Sequence, residues 1–227
     1  MSEKTGKTAR ETAGFSLLEL VIVLAVMAIV AAMAIPTWQR MQRNARLNGD
    51  GHSLSEALSV AKLRAAADFT ESRVFLFTGT DKTPYFRIDV WNKTANTGST
   101  GCWVPDGKAN PTSSDCIANT SYTGNETFLS RGVSTGFSNV TTAPDGTTAA
   151  QPNPCKQGGS TATAGTNISN TSCIQFNSRG FPTAGAVFYI TDSTRVYGIS
   201  TNAMGLIHSY LATSSSGSTW KAYRGLP

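Results

Sequence analysis

The spacing of hydrophobic residues along the chain changes twice. From Phe15 to Ile35 there are 21 residues, and only Ser16 and Glu19 among them are polar. At ~1.5 Å per residue, a helix of that length spans about 30 Å, one bilayer hydrocarbon core. No small-residue cleavage site follows. Instead the chain reads Ile35-Pro36-Thr37-Trp38, and Trp38 suits an anchor at headgroup level. The pattern predicts a retained single span over 15–35. Past Pro36, Leu47, Leu54, Leu58, Ala61 and Ala65 recur at spacings of seven, four, three and four, which is one face of a helix. One helix over 15–68 is therefore expected, apolar all round at first and amphipathic later. Pro36 opposes it by roughly 3 kcal/mol, and Gly49 and Gly51 by ~1 kcal/mol each. Ser53-Leu-Ser-Glu56 offers a capping box that would restart an interrupted helix. The expected form is the continuous one, with packing overriding propensity.

After Phe69 the period falls to two. Residues 73–78 and 85–91 read as strands joined by a hairpin over 79–84. Further strands are predicted over 173–176, 186–190, 195–200 and 206–210, and a last short one near 218–223. Asn202 and Gly205 supply the turn before the 206–210 strand. Between them, 92–172 is dominated by Thr, Ser, Gly, Asn and Pro, with one short strand near 127–129. So long a connection is unusual inside a compact domain and reads as a surface insertion. The fold class is α+β: a long N-terminal helix packed on a mostly antiparallel sheet, with the head over 69–227.

Charge refines this only slightly. Nineteen Lys and Arg against 14 Asp and Glu give +5, dispersed along the chain, a weak argument for nucleic acid. Lys4, Lys7 and Arg10 precede the span while Arg40, Arg43 and Arg46 follow it, so the positive-inside rule does not set orientation. The cysteines do more. Cys102, Cys116, Cys155 and Cys173 lack C-x-x-C spacing and lie far in sequence from His52 and His208, which argues against zinc. Two disulfides in an oxidising compartment fit better and place the head outside the cytoplasm. Of the three connectivities, Cys102–Cys116 with Cys155–Cys173 closes the shortest loops and is the one expected.

Catalytic chemistry finds no foothold. A Ser-His-Asp site would need His52 or His208, and no phosphate loop, dinucleotide fingerprint or HExxH is present. No enzyme activity, cofactor or metal is expected.

The acid inside the span needs a reason, because a buried membrane carboxylate costs roughly 2.5–3.5 kcal/mol even on insertion scales. A polar leader over 1–14 ends in Gly14, Phe15 follows, and Glu19 lies four residues on. This Gly-Phe-Ser-Leu-Leu-Glu-Leu stretch resembles the class III signal of type IV prepilins and type II secretion pseudopilins. The resemblance implies removal of 1–14 by a prepilin peptidase between Gly14 and Phe15, then N-methylation of Phe15. It makes Phe15, Glu19 and Pro36 the assembly residues. Glu19 would neutralise the new Phe15 amine of a neighbouring subunit, each charge offsetting the other's desolvation. Pairing with its own amine one turn away is a competing geometry. Pro36 would mark where the helix can lose regular structure in an assembled pilus.

The body carries a looser likeness. SLSEALSVAKLRAAA over 53–67, Cys173-Ile-Gln-Phe176, the turn at Arg179-Gly180, and the strands RVYGIS and GLIHSY resemble GspH/FimT/FimU-type minor pilins and pseudopilins. The implied partners are other pilin or pseudopilin subunits, the peptidase, the inner-membrane assembly platform and membrane lipid. The implied location is a single inner-membrane pass with a periplasmic head, then a filament. An alternative is a DNA-binding or adhesive minor pilin for DNA uptake. It rests on Trp220, Lys221, Tyr223 and Arg224, two cations interleaved with two aromatics.

Overall fold

The computed structural model describes residues 16–79, 82–94, 101–108, 112–117, 120, 123–213 and 219–223. One α-helix, α1 (Leu17–Ala67), runs 51 residues without a break at Pro36 or at the glycines. The restart at Ser53 is not used. The chain divides into two compact units, one up to Gln42 and one from Arg43 onward.

In the first unit α1 is exposed along its length, and it is long and apolar enough to cross a membrane. Its start is capped: the Glu19 amide donates to Ser16 Oγ at 3.2 Å, and the Leu20 amide to the Ser16 carbonyl at 3.1 Å. Pro36 deprives the Ala32 carbonyl of its usual donor, and the Thr37 hydroxyl donates to the Met33 carbonyl at 3.3 Å.

In the second unit the rest of α1 buries Leu47, Gly51, Leu54, Leu58, Ala61 and Ala65, a single stripe at spacings of four and three. Among the described residues ten strands pack with it, all paired antiparallel. They are β1 (Ser72–Phe77), β2 (Tyr85–Asn92), β3 (Cys102–Pro105), β4 (Thr127–Phe128), β5 (Ser134–Thr135), β6 (Thr171–Phe176), β7 (Ala186–Thr191), β8 (Arg195–Thr201), β9 (Ile207–Thr213) and β10 (Lys221–Ala222). They form two five-stranded sheets rather than one. The first runs β3-β2-β1-β6, with β4 beside β3 on the same edge of β2; the second runs β10-β9-β8-β7-β5. The helix stripe closes a common core with Val74, Leu76, Ile174 and Phe176 of the first sheet and Phe188, Ile190, Tyr197 and Ile199 of the second.

Gly51 is no weak point. A Cβ there would stand 2.6 Å from the Tyr197 ring, so glycine is what lets helix and sheet approach. Polar ties fix the helix further. Asp50 accepts the Ser130 amide and hydroxyl, each at 2.8 Å, Ser72 Oγ donates to the Ala61 carbonyl, and Lys62 Nζ to the Gly205 carbonyl at 2.9 Å. The helix closes with the Thr70 amide bonded back to the Ala65 carbonyl at 3.2 Å, which puts Phe69 in the left-handed region at φ 48°.

The segment 92–172 is more than a surface insertion. It supplies β3, which is buried throughout, and the short β4 and β5. It also covers the outer face of the first sheet, where Cys155 and Ile168 pack on Phe75, Phe77 and Tyr85. Both faces of that sheet are therefore buried. Polar composition disguised this role, because two disulfides and many turn residues do the ordering that a larger apolar content would do elsewhere.

Candidate functional site

The residues singled out in the sequence occupy three separate places. Gly14 and Phe15 lie outside the described residues, and Glu19 sits in the first turn of α1 beside the Ser16 cap. Ser16 escaped the sequence reading, although Ser-x-x-Glu ahead of an apolar run is a capping-box pattern. Its hydroxyl holds the backbone amide of Glu19, so the first turn of α1 is fixed where the carboxylate departs from it. An acid in a first turn is also favoured by the positive end of the helix dipole.

The four cysteines pair as Cys102–Cys116 and Cys155–Cys173, and no free cysteine remains. The first ties β3 to the short 3-10 turn at Ser113–Asp115; the second ties the covering segment to β6. At the other end, the aromatics of the C-terminal group turn inward. Trp220 Nε1 donates to the Thr142 carbonyl at 2.6 Å and its ring lies 5.9 Å from that of Tyr189. Tyr223 packs on Tyr197 at 5.4 Å and on His52 at 5.2 Å. Lys221 is exposed on β10, and Arg224 lies outside the described residues.

A charge cluster that the sequence reading did not anticipate lies under the covering segment. Arg73 of β1 and Arg87 of β2 flank Asp89, all three about fully buried. Arg73 Nε donates to Asp89 Oδ2 at 2.8 Å and Arg87 Nε to Asp89 Oδ1 at 2.9 Å. Glu126 stands 3.5 Å from Arg87, and Arg73 Nη1 donates to the Lys156 carbonyl at 2.5 Å. The Arg73 guanidinium lies 4.2 Å over Trp103, and that of Arg87 lies 4.1 Å over Phe75. Burial pushes the Arg73 pKa down, against the pull of Asp89 in the other direction. Two buried cations and two acids, paired with one another, form a charge network that ties β1 and β2 to the covering segment.

The site with a family identity is the N-terminal one. Residues 10–35 match the model of the prokaryotic N-terminal methylation motif. The match supports a type IV pilin-like protein. The matched stretch contains Gly14, Phe15, Ser16 and Glu19. The motif implies processing by prepilin peptidase and assembly with other pilin subunits, and the exposed apolar helix suits a membrane-anchored pilin. No curated protein and no solved structure matches the chain.

Proposed function

We propose that the pilin-like chain is a minor subunit of a type IV pilus or a type II secretion pseudopilus. Residues 1–14 form a leader removed after Gly14, and Phe15 becomes the methylated amino terminus. The helix over 15–68 spans the inner membrane through 15–35 and later forms filament core, with the head over 69–227 carried on the periplasmic side. The methylation-motif match over 10–35 carries this reading. The physical support is Glu19. An ammonium at Phe15 and a carboxylate one turn along are each expensive in a bilayer, and neutralising one with the other across neighbouring subunits relieves both. The same pairing sets the axial register of one subunit against the next.

Mass spectrometry of the N-terminal peptide from cells expressing a prepilin peptidase tests the reading directly. A peptide beginning at methylated Phe15 supports it. An intact Met1, or a terminus elsewhere, overturns it.

A further inference from the structure

The second unit holds a cleft of about 830 Å³ that the pilin-like function does not use. Its floor is the outer face of the second sheet. The strand register puts Val187, Ser200 and His208 in one row on one face, with Tyr189 and Tyr210 in the next, where Trp220 lies over the intervening Gly198. Loop 143–154 forms one wall, and the outer edge of β6 with residues 183–186 forms the other. We propose that this cleft binds a neutral oligosaccharide.

The lining decides the ligand class. Asp145 and Lys156 are its charged side chains, one of each sign, so the cleft offers no clustered cations for a phosphate, a sulfate or a nucleic acid strand. An apolar ligand would bury the surrounding amides and hydroxyls without partners, which is unfavourable for each. What remains is a ligand rich in groups that both donate and accept. Ser200 and Tyr210 on the floor and Asn153 on the wall match such groups. Asn202, whose Oδ1 takes the Met204 and Leu206 amides, offers its side-chain NH2, and Asp145, whose Oδ1 takes the Thr147 amide and hydroxyl, keeps Oδ2 as an acceptor. Tyr210 and His208, with rings 6.4 Å apart, give the flat carbon–hydrogen face of a sugar a surface to lie on. A cleft of this volume falls within the range of ordinary ligand sites.

Tyr189 supports the floor from beneath: it is fully buried, packed against Phe137 and Trp220, so it shapes the cleft without meeting the ligand.

An added peptide strand fits less well, because the main-chain edges facing the cleft are already occupied. The Gln151 side-chain amide takes both the Tyr189 carbonyl, at 2.7 Å, and the Tyr189 amide, at 3.2 Å. The Cys173 amide is bonded to the Asn153 carbonyl at 3.0 Å, and the Gln175 carbonyl to the Thr183 amide at 2.8 Å. These bonds, together with Trp220 on Thr142 and the Cys155–Cys173 disulfide, also hold the walls in place before any ligand arrives.

The test uses the full chain in detergent, with both disulfides intact, against an immobilised panel. The panel carries neutral hexose and N-acetylhexosamine oligosaccharides, sialylated and sulfated ones, and uncharged hexapeptides. Saturable binding to neutral oligosaccharides is expected, weakened at least about tenfold by Tyr210→Ala and by Asp145→Asn, and unchanged by Lys221→Ala. Asp145 is exposed and asparagine keeps an Oδ1 for the Thr147 amide and hydroxyl, so this variant tests the cleft while preserving the loop. No binding to any neutral member overturns the proposal. So does binding that both variants retain, or binding confined to charged sugars or peptides. The unprocessed precursor serves equally well, so this outcome is independent of the cut at Gly14.

Discussion

Asp89→Asn isolates the buried charge network without opening a cavity. The amide has nearly the volume of the carboxylate, but it removes the one negative charge held within 2.9 Å of both guanidiniums. At about 4 Å between charge centres and an effective dielectric near 20, each pair is worth about 4 kcal/mol gross. The amide returns part of this as neutral hydrogen bonds. Glu126, at 3.5 Å from Arg87, keeps some compensation for that residue. Arg73 fares worst. Among the described residues its Nη2 is held by the ion pair at 2.8 Å with no well-aligned hydrogen bond, and what remains to it is the Lys156 carbonyl and the Trp103 and Phe75 ring faces. Losing one member of a buried pair removes 3–5 kcal/mol in general, and that range is expected here. It is a large share of the ~5–15 kcal/mol that keeps a domain folded. Denaturant unfolding of the full chain in detergent, followed by tryptophan fluorescence, reads it, because Arg73 sits 4.2 Å over Trp103. Adding Arg73→Met should recover part of the loss, since it removes the orphaned cation. If Asp89→Asn costs under about 1 kcal/mol, or the second substitution only adds to it, the network is not what holds β1 and β2 to the covering segment.

Four further outcomes are expected. Gly51→Ala should destabilise by about 1–3 kcal/mol because its methyl meets the Tyr197 ring at 2.6 Å, whereas Gly49→Ala, with nothing within 4 Å, should stabilise by about 1 kcal/mol; equal signs in thermal unfolding would refute the packing account. Phe69→Gly should raise stability by about 0.5–1 kcal/mol, since the ring is 78% exposed and the backbone sits at φ 48°; an unfolding midpoint at or below the parent's would show that the ring contributes more than its strain removes. Burial alone would raise the Glu126 carboxyl, but bonds from the Thr123 amide and hydroxyl and the Gly124 amide hold it below the ordinary range. Its contribution is therefore present above the unfolded pKa of about 4.3 and lost as pH falls through the folded value, so the stability gap between parent and Glu126→Gln should close on acidification and must not widen. Glu19→Ala should leave the chain in the membrane fraction while reducing its recovery in sheared filaments; normal recovery would remove the assembly role given to this residue.

The helix was legible because its signal is periodic and local. Leu47, Leu54, Leu58, Ala61 and Ala65 lie on the stripe that the pattern predicts, and only Gly51 was misjudged, because a glycine facing a ring looks in sequence like a glycine that breaks a helix. Eight of the ten strands among the described residues were legible for the same reason, with ends moved by a few residues at most, while the short β3 and β5 were not foreseen. What stayed hidden is everything that depends on a third layer. Alternation in β1 and β2 places Arg73, Arg87 and Asp89 on the face away from the helix, which would ordinarily be solvent. The covering segment turns that face into interior, and nothing in the local pattern of 92–172 announces it. Its strand β3 is four residues, Cys102-Trp-Val-Pro105, too short to show a period of two. The cleft was hidden too, because its floor comes from three strands and its walls from loops distant in sequence.

Glu19 and Asp89 look alike in the sequence, as acids set among apolar neighbours, and differ in where their counter-charges come from. Asp89 faces two arginines of its own sheet, so its cost is settled when the chain folds and it reports on stability. Glu19 stands in the exposed unit, in a first turn whose backbone amide is already held by Ser16, and among the described residues it forms no ion pair. Folding of this chain therefore leaves its cost outstanding. On the proposed processing, peptidase cleavage at Gly14 creates the missing cation at Phe15, and assembly delivers it from the neighbouring subunit. An acid whose charge is answered only after cleavage makes incorporation depend on cleavage. Uncut chains would then stay in the membrane because they lack the amine that makes packing with neighbours favourable, even with an apolar helix identical in every other respect.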